Sequence, residues 1–173
     1  MMHEVYLADD AAGLRFALGR YEERPLIFLG INPSTADLQT PDPTVTRMAH
    51  IAAQFGYDGF LALNVCPRRA AKLTADFPKT ADPAAASRQL EAFRTLVPEG
   101  AVVVAVWGAM IGFRPYFADA LRDIAAVLNA KHVDWRCLCM TKAGHPHHPL
   151  YLSYDKIGLV PFDIRTYLQR YHT

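Results

Sequence analysis

The sequence predicts an α/β protein with a central, mainly parallel four-stranded sheet covered by helices on both faces. Four apolar runs of strand length predict the strands, at residues 26–31, 60–65, 101–107 and 135–140. Helical patterns lie between these runs. Because alternating strands and helices are typical of parallel sheets covered on both faces, we expect a three-layer α/β/α sandwich.

The residues at their ends predict three helices. Asp42-Pro43 supplies an N-cap residue followed by a proline suited to the first turn, and predicts a helix to about Phe55. Asp82-Pro83 repeats this pattern and predicts a helix to about Leu96. A third helix is expected over about residues 115–129.

The remaining segments carry weaker signals. Residues 15–18 predict either an extra N-terminal edge strand or a helical segment, and residues 161–171 predict a short helix. Residues 67–82 contain prolines and no sustained period, which favours a surface loop. Without a repeat or a linker, the 173 residues predict a single domain over 1–173.

Composition favours a soluble cytoplasmic protein. Hydrophobic residues make up 51% of the chain, yet no apolar run approaches the roughly 20 residues that a membrane span requires. The first ten residues lack the basic and apolar regions of a signal peptide. We therefore expect no contact with a membrane, and nothing in the sequence indicates an obligate protein partner.

We expect neither a cofactor nor a metal. The three cysteines, an odd number inside apolar segments, predict reduced and buried thiols. His145, His147 and His148 leave a metal-dependent hydrolase as an alternative. However, zinc needs three or four converging ligands, and the consecutive His147 and His148 generally point apart.

Polar residues and rigid turns collect where each predicted strand ends. These segments are residues 30–37, residue 64 with 67–69, residues 107–108 and residues 141–149. Ligands of such sheets bind beyond the carboxyl ends of the strands. The sequence therefore predicts a binding or active site at this edge.

The same segments resemble motifs of the uracil-DNA glycosylase superfamily. Residues 30–33 (Gly-Ile-Asn-Pro) resemble the first motif of the mismatch-specific uracil and thymine DNA glycosylases. Residues 61–64 resemble the strand that ends in the base-reading Asn, and residues 106–108 resemble the third strand. Residues 148–153 resemble the final His-Pro-Ser-Pro-Leu-Ser loop. The resemblance implies a uracil-DNA glycosylase-like fold.

A second resemblance covers about residues 15–153. The segments at 32–37, 42–44, 56–57 and 148–151, together with Arg47, are similar to the domain-of-unknown-function family 1643. That family name implies no activity, so the expected mechanism follows from the wider superfamily. An enzyme that releases a base from DNA must hold the flipped-out base, stabilise its anion and position a water molecule.

The superfamily resemblance implies catalytic roles for Asn32 and His148, and Asp37 is added as the carboxylate nearest to Asn32 in the sequence. Asn32 would position the water, His148 would donate a hydrogen bond to a pyrimidine carbonyl oxygen, and Asp37 would supply a negative charge that an amide lacks. Asn64 would read the base, because its amide offers both an acceptor and donors to a Watson–Crick edge.

The pocket wall is expected to include Ile31 and Ser34. The uracil-specific enzymes carry a Tyr whose ring blocks a 5-methyl group at the position of Ser34. The small side chain therefore predicts a pocket that is open to 5-substituted pyrimidines. Such bases occur in heavily modified viral DNA, which adds a role in antiviral defence as a hypothesis.

Several residues are expected to contact DNA. Leu152 aligns with the apolar side chain that fills the gap left by the flipped base. The other predicted contacts are Arg47, Arg68, Arg69, Lys142 and Ser153.

The sequence-based hypothesis is a monofunctional DNA glycosylase acting on a modified or mismatched base. A non-catalytic nucleic-acid-binding protein that retains the fold is the alternative. The net charge of only +1 and the absence of an Asp at position 32 both fit this alternative.

Overall fold

The computed structural model describes residues 1–171. His172 and Thr173, which end the predicted domain, lie outside the described residues. In chain order the strands and helices are β1 (His3–Asp9), β2 (Leu14–Tyr21), β3 (Pro25–Gly30), α1 (Pro43–Gln54), β4 (Gly59–Asn64), α2 (Pro83–Leu96), β5 (Val102–Ala105), α3 (Pro115–Ala130), β6 (Asp134–Cys137), β7 (Val160–Pro161) and α4 (Ile164–Leu168).

The strands form one mixed sheet in the order β1-β2-β4-β3-β5-β6-β7. The central neighbours β4-β3-β5-β6 pair in parallel, whereas β1, β2 and β4 pair antiparallel, as do β6 and β7. The predicted α/β class is confirmed. The expectation of a four-stranded, mainly parallel sheet is corrected to a seven-stranded mixed sheet.

The additional strands carry weak sequence signals for physical reasons. No residue of β1 is fully buried, and β7 has two exposed residues, one of them Pro161, so neither forms an apolar run. Residues 15–18 belong to a strand, β2, and not to a helix. This strand is not at the edge of the sheet, because β1 pairs along its outer side.

The helix starts follow from their caps. The Asp42 carboxylate accepts the N–H of Val45 at the start of α1, and the Asp82 carboxylate accepts the N–H groups of Ala84 and Ala85 at the start of α2. The bounds of α1, α2 and α3 agree with the predicted helices to within about a turn. The predicted C-terminal helix is shorter, since α4 is followed by a 3-10 turn over 169–171.

The alternation of side chains along the strands explains why both faces of the sheet are covered. Phe28, Ala62 and Val104 face α1 and pack with its buried residues. Ile27 and Leu61 face the opposite side, where they pack with side chains of α2, α3 and α4. The helices are thus on both faces, and none of those in residues 1–171 is long and apolar enough to cross a membrane.

The loop at residues 67–82 and two of the three cysteines agree with the predictions. Residues 67–82 contain neither a helix nor a strand, as predicted, although Arg68 makes an isolated bridge to Leu14. All three cysteines are free. Cys66 and Cys137 are buried, whereas Cys139 is half-buried. Burial raises the pKa of the Cys137 thiol to about 11, so it is protonated at neutral pH.

Candidate functional site

A cleft of about 700 Å³ opens at the carboxyl ends of β3, β4 and β5, on the side of the sheet that carries α1. Five segments form its walls: residues 30–35 after β3, the start of α1, residues 70–73, residues 106–110 after β5, and the loop around His147 and His148. The cleft therefore lies at the sheet edge where the sequence predicts a site.

The floor of the cleft depends on a close approach between Gly30 and Asn64, which end two neighbouring parallel strands. A Cβ atom added at Gly30 would lie 2.9 Å from Oδ1 of Asn64. Real Cβ contacts essentially never come this close, so a larger residue at position 30 would displace the amide. The glycine thus makes room for the Asn64 side chain on the α1 side of the sheet.

Asn64 is buried but its side-chain amide is not engaged. The residue is 6% exposed, and its main-chain carbonyl accepts a 2.7 Å hydrogen bond from Nε2 of Gln89. Within residues 1–171 the side-chain amide makes no hydrogen bond, and Asn64 lines the cleft. The amide atoms are not among the polar atoms that are sealed from solvent without a partner, so they are open to the cleft and can pair with a polar ligand.

Asn32 presents an acceptor to the cleft. Its Nδ2 donates to the carbonyl oxygens of Pro33 and Ala70, each at 3.0 Å. Both amide protons are thereby committed, which fixes the side chain and leaves Oδ1 as the free polar atom. Because Asn32 lines the cleft, this oxygen can accept a hydrogen bond from a water molecule or a hydroxyl group.

His148 presents a donor. Its Nδ1 accepts the N–H of Leu150 at 3.2 Å, so in the neutral imidazole the proton is on Nε2. Burial lowers the pKa of His148 and the charge of His147 lowers it further, while Asp42 acts in the opposite direction. The ring is therefore neutral at pH 7 and can donate one hydrogen bond into the cleft that it lines.

Ile31 and Ser34 also line the cleft. The main-chain carbonyl of Ser34 accepts a 3.1 Å hydrogen bond from Arg69, which holds the segment after β3 in place. The structure thus brings together five of the predicted catalytic and base-binding residues: Asn32, Asn64, His148, Ile31 and Ser34.

Asp37 does not belong to this group. Its Oδ1 accepts the N–H groups of Gln39 and Thr40, so the carboxylate closes a local turn, and it is absent from the cleft wall. The carboxylate that lines the cleft is that of Asp42, whose Oδ1 also caps α1. The sequence offered a signal for Asp42 only as a helix N-cap.

Leu152 and Arg47 have structural surroundings that differ from the expectation. Leu152 is 7% exposed and packs in the core on the α1 side, so it does not protrude as a wedge. Arg47 donates to the carbonyl of Leu152 and stacks on the ring of Tyr154, 3.8 Å from its centroid. The exposed residues of the segment 148–153 are Leu150 and Tyr151, which line the cleft, and Ser153, which does not. Tyr151 is the most exposed of them, at 76%.

The other basic residues that were predicted to contact DNA also lie away from the cleft wall. Arg69 donates to the carbonyls of Ser34 and Ala36 and to the hydroxyl of Tyr6, so it fastens a loop. Arg68 lines a separate pocket on the opposite side of the sheet. Lys142 is exposed but does not line the cleft. The structure therefore leaves none of these three cations on the cleft wall.

The loop that carries His148 is supported from α4 and from the 3-10 turn that follows it. The hydroxyl of Tyr167 lies 2.7 Å from Nδ1 of His145 and accepts a 3.0 Å hydrogen bond from Nε1 of Trp107. Arg170 donates to the carbonyls of Ala143 and Gly144. His145 and His148 are thus engaged with different partners, and Trp107, 1% exposed, belongs mainly to the core.

Among the charged and aromatic residues of the cleft wall, the sequence interpretation assigned no functional role to Arg15, Asp42, Lys72 and Tyr151. Arg15 lies within an apolar stretch that predicts a strand or a helix but gives no sign of a functional site. Lys72 lies in a loop whose path has no periodic signal. Tyr151 could have been identified from its position in the final loop, directly before Leu152.

Comparisons with known proteins give one family. Residues 15–150 match the family described as "Protein of unknown function (DUF1643)". No curated protein and no solved structure matches the chain.

Proposed function

The chain belongs to the DUF1643 family, whose description assigns no activity, and from the chemistry of its cleft we propose that it is a monofunctional DNA glycosylase. Its substrate would be a flipped-out pyrimidine base that carries a 5-substituent or lies in a mismatch. The proposal treats the mixed sheet, with its four central parallel strands and helices on both faces, as a variant of the uracil-DNA glycosylase fold.

One observation carries this proposal. Three polar groups of different character line the same cleft: the unengaged amide of Asn64, the free Oδ1 of Asn32 and the Nε2–H of neutral His148. An amide pairs with a Watson–Crick edge, an oxygen acceptor orients a water molecule, and a neutral imidazole donor stabilises charge on a carbonyl oxygen. These groups match three tasks of base release: holding the base, positioning a water molecule and stabilising the charge of the departing base.

The proposed reaction is hydrolysis of the bond between C1′ of the sugar and the ring nitrogen of the base. The electron pair of this bond leaves with the base, whose negative charge is stabilised by the hydrogen bond from His148. The oxygen of a water molecule held by Asn32 forms the new bond to C1′. The proton released from this water passes to a base or to solvent.

Asp42 is our candidate for the carboxylate in this reaction, in place of Asp37. It lines the cleft, and its charge acts on both Arg15 and His148. A carboxylate there can stabilise the positive charge that develops on the sugar and can accept the proton of the water. Oδ1 is committed to the cap of α1, which leaves Oδ2 for this role.

The proposed substrate class follows from the small side chain at position 34. Ser34 lines the cleft and supplies no ring that would exclude a 5-substituent. The exposed Tyr151 at the rim replaces Leu152 as our candidate for the side chain that fills the space of the flipped base. Lys72, also exposed on the cleft wall, is the candidate for a DNA backbone phosphate.

The experiment that tests the function is mass spectrometry of free bases after incubation with duplex and single-stranded DNAs. The DNAs should carry uracil, thymine mismatches, 5-hydroxymethylcytosine or glucosylated 5-hydroxymethylcytosine. We expect release of a 5-substituted base, and a variant with Asn64→Ala provides the matched inactive control. Absence of any released base from all of these DNAs would contradict the proposal.

A second candidate, a binding protein without catalysis, is favoured by one specific observation. Asp37 closes a turn and Asp42 caps a helix, so both carboxylates near the site also have structural roles. If the protein binds DNA that carries a modified base and releases nothing, this alternative becomes the better account.

A further inference from the structure

Arg15 is a buried cation without a carboxylate partner. Its side chain projects from β2, the residue is 3% exposed, and it forms no ion pair in the part of the chain that the structure describes. Buried charges are normally paired, because removing an ion from water is costly. The position of Arg15 on the cleft wall therefore requires an explanation.

The guanidinium group is only partly engaged. Nη1 donates a 2.9 Å hydrogen bond to the carbonyl of Ala36, while Nε is buried without an acceptor. Nη2 makes no hydrogen bond to the protein within residues 1–171. Unlike Nε, it is not sealed from solvent, so the cleft is the place from which an acceptor can reach it.

A second arginine, Arg69, adds positive charge next to Arg15. Arg69 donates to the same carbonyl of Ala36, which places two guanidinium groups close together. Burial lowers the pKa of Arg15 to about 10, and the charge of Arg69 acts in the same direction, outweighing the attraction of Asp42. Arg15 remains charged at neutral pH, in surroundings that stabilise its charge less well than water does.

Support of the loop does not explain the charge. The bond from Arg15 to Ala36 helps to hold residues 33–37, but a neutral amide could donate to the same carbonyl. An anion in the cleft would account for both the charge and the free Nη2. The hydroxyl side chains of Ser34 and Thr35, on the segment that Arg15 holds, line the same cleft and could donate to such an anion.

We propose that Arg15 binds a phosphate group of the nucleotide whose base occupies the cleft. The inference rests on the proposed function for the identity of the ligand as a nucleotide. A planar guanidinium fork is well matched to phosphate oxygens. The phosphate can belong to a DNA backbone or to a free nucleotide, and the two sources are separated by experiment.

The test is isothermal titration with 2′-deoxycytidine, its 5′-monophosphate and inorganic phosphate. We expect the wild type to bind the monophosphate more tightly than the nucleoside. Arg15→Gln should weaken binding of the monophosphate by about tenfold to a hundredfold, because a charge-assisted hydrogen bond is lost, and should leave binding of the nucleoside unchanged. Equal binding of nucleoside and monophosphate by the wild type would overturn the inference.

Arg20→Gln is the matched control. Arg20 lies on the same strand, but its side chain is half exposed and pairs with Glu4 at the surface. This variant should bind the monophosphate as the wild type does. An equal loss in both variants would show a general effect of positive charge and would count against a site at Arg15.

A measurement on the wild type covers the case in which Arg15→Gln does not fold. Titration with inorganic phosphate should shift the amide NMR signals of residues 34–36, whereas sodium chloride at equal ionic strength should not. Equal shifts with both salts, or none with phosphate, would overturn the inference.

Two further comparisons identify the source of the phosphate and separate this inference from the proposed function. Tighter binding of a single-stranded oligonucleotide than of the monophosphate assigns the site to DNA, and the reverse order assigns it to free nucleotides. Both results support the site if they depend on Arg15. If no base is released from any DNA while this dependence persists, the glycosylase proposal fails and the phosphate site stands.

Discussion

The two faces of the sheet differ in how much space each leaves open to a ligand. On the face of α2, α3 and α4, Trp107 donates to Tyr167, which in turn contacts His145, and the pocket there has a volume of about 100 Å³. On the face of α1, the cleft is about 700 Å³, and the Asn64 amide has no protein partner in residues 1–171. The bonds among Trp107, Tyr167 and His145 favour stability, although Oε1 of Gln89 on the same face is buried without a partner. The open amide on the α1 face is available to a ligand.

The covering of each face explains this difference. Three helices and an aromatic cluster close one face, including edge contacts of Trp107 with Trp135 and Phe162. On the other face, α1 is the only α-helix within residues 1–171, and its N-terminus lies at the cleft. We therefore expect substitutions on the face of α2, α3 and α4 to change stability, and substitutions on the face of α1 to change ligand binding or base release.

The largest effect is expected for Asp42→Asn. The Asn side chain retains the N-cap of α1 but loses the negative charge, so base release should fall by about 10²–10⁴-fold with little change in stability. Single-turnover rates and urea unfolding would measure the two quantities. Asp82→Asn is the matched control, because it changes the corresponding Asp-Pro cap of α2, outside the cleft. Equal rates in both variants would remove Asp42 from the mechanism.

Phe93→Ala tests the closed face. Phe93 lies in α2 and is 0% exposed, so the truncation should leave a cavity and lower the free energy of unfolding by about 3–5 kcal/mol. Activity per folded molecule should be unchanged at a temperature where the variant is folded. A large loss of activity without a loss of stability would contradict the separation between the faces.

Asn32→Ala should reduce base release by about 10²-fold, since a misplaced water loses its reactive geometry. The hydrogen bonds to Pro33 and Ala70 are lost as well, so urea unfolding must accompany the single-turnover assay. In Asn32→Asp the second carboxylate oxygen would meet these two carbonyl oxygens and could not donate to them, so this variant should not restore the rate. An unchanged rate in Asn32→Ala would assign the water to another group.

Ser34→Tyr should narrow the open pocket. We expect the rate on a 5-substituted pyrimidine to fall more than the rate on uracil, by about tenfold, because the ring clashes with the substituent and adds no compensating contact. The comparison uses matched duplexes under single-turnover conditions, with Ser34→Ala as the control of small size. If uracil is the better substrate of the wild type, the argument from Ser34 is wrong.

The smallest expected effect is a dependence of stability on pH. His145 and His148 both have lowered pKa values, because burial disfavours their charged forms. Between the folded pKa and the ordinary value of 6.5, the unfolded chain binds more protons, so stability should fall as pH decreases below 6.5. Urea unfolding between about pH 5 and 7.5 would measure the slope, which His148→Gln should reduce. An unchanged slope would contradict the assignment of a buried neutral imidazole.

The parts of the fold that the sequence predicted are those with local signals. The Asp-Pro caps located the starts of α1 and α2, and apolar runs located β3, β4, β5 and β6. The interior strand β2 was expected only as an edge strand or a helical segment. By contrast, β1 and β7 are exposed, and their pairing depends on neighbours distant in sequence. Their presence could not be inferred from periodicity, which explains why the predicted sheet was too small.

The candidate site shows the same limit. Asn32, Asn64 and His148 end strands or follow them, so topology alone brings them to one edge. The contacts of the arginines could not be predicted, because a sequence pattern does not show which groups a long side chain contacts. Arg47 and Arg69 donate hydrogen bonds to backbone carbonyls of other loops and hold these loops in place. The sequence interpretation had instead assigned both arginines to DNA contacts.

The close approach of Gly30 and Asn64 has a consequence for sequence variation among relatives of this chain. Positions 30 and 64 are coupled, since a Cβ at position 30 would lie 2.9 Å from Oδ1 of Asn64 and the amide would have to move. A homologue with alanine or serine at position 30 should carry a shorter side chain at position 64, and it would then have lost the proposed base-reading group. Co-variation at this pair thus separates relatives that retain the cleft chemistry from those that keep only the scaffold.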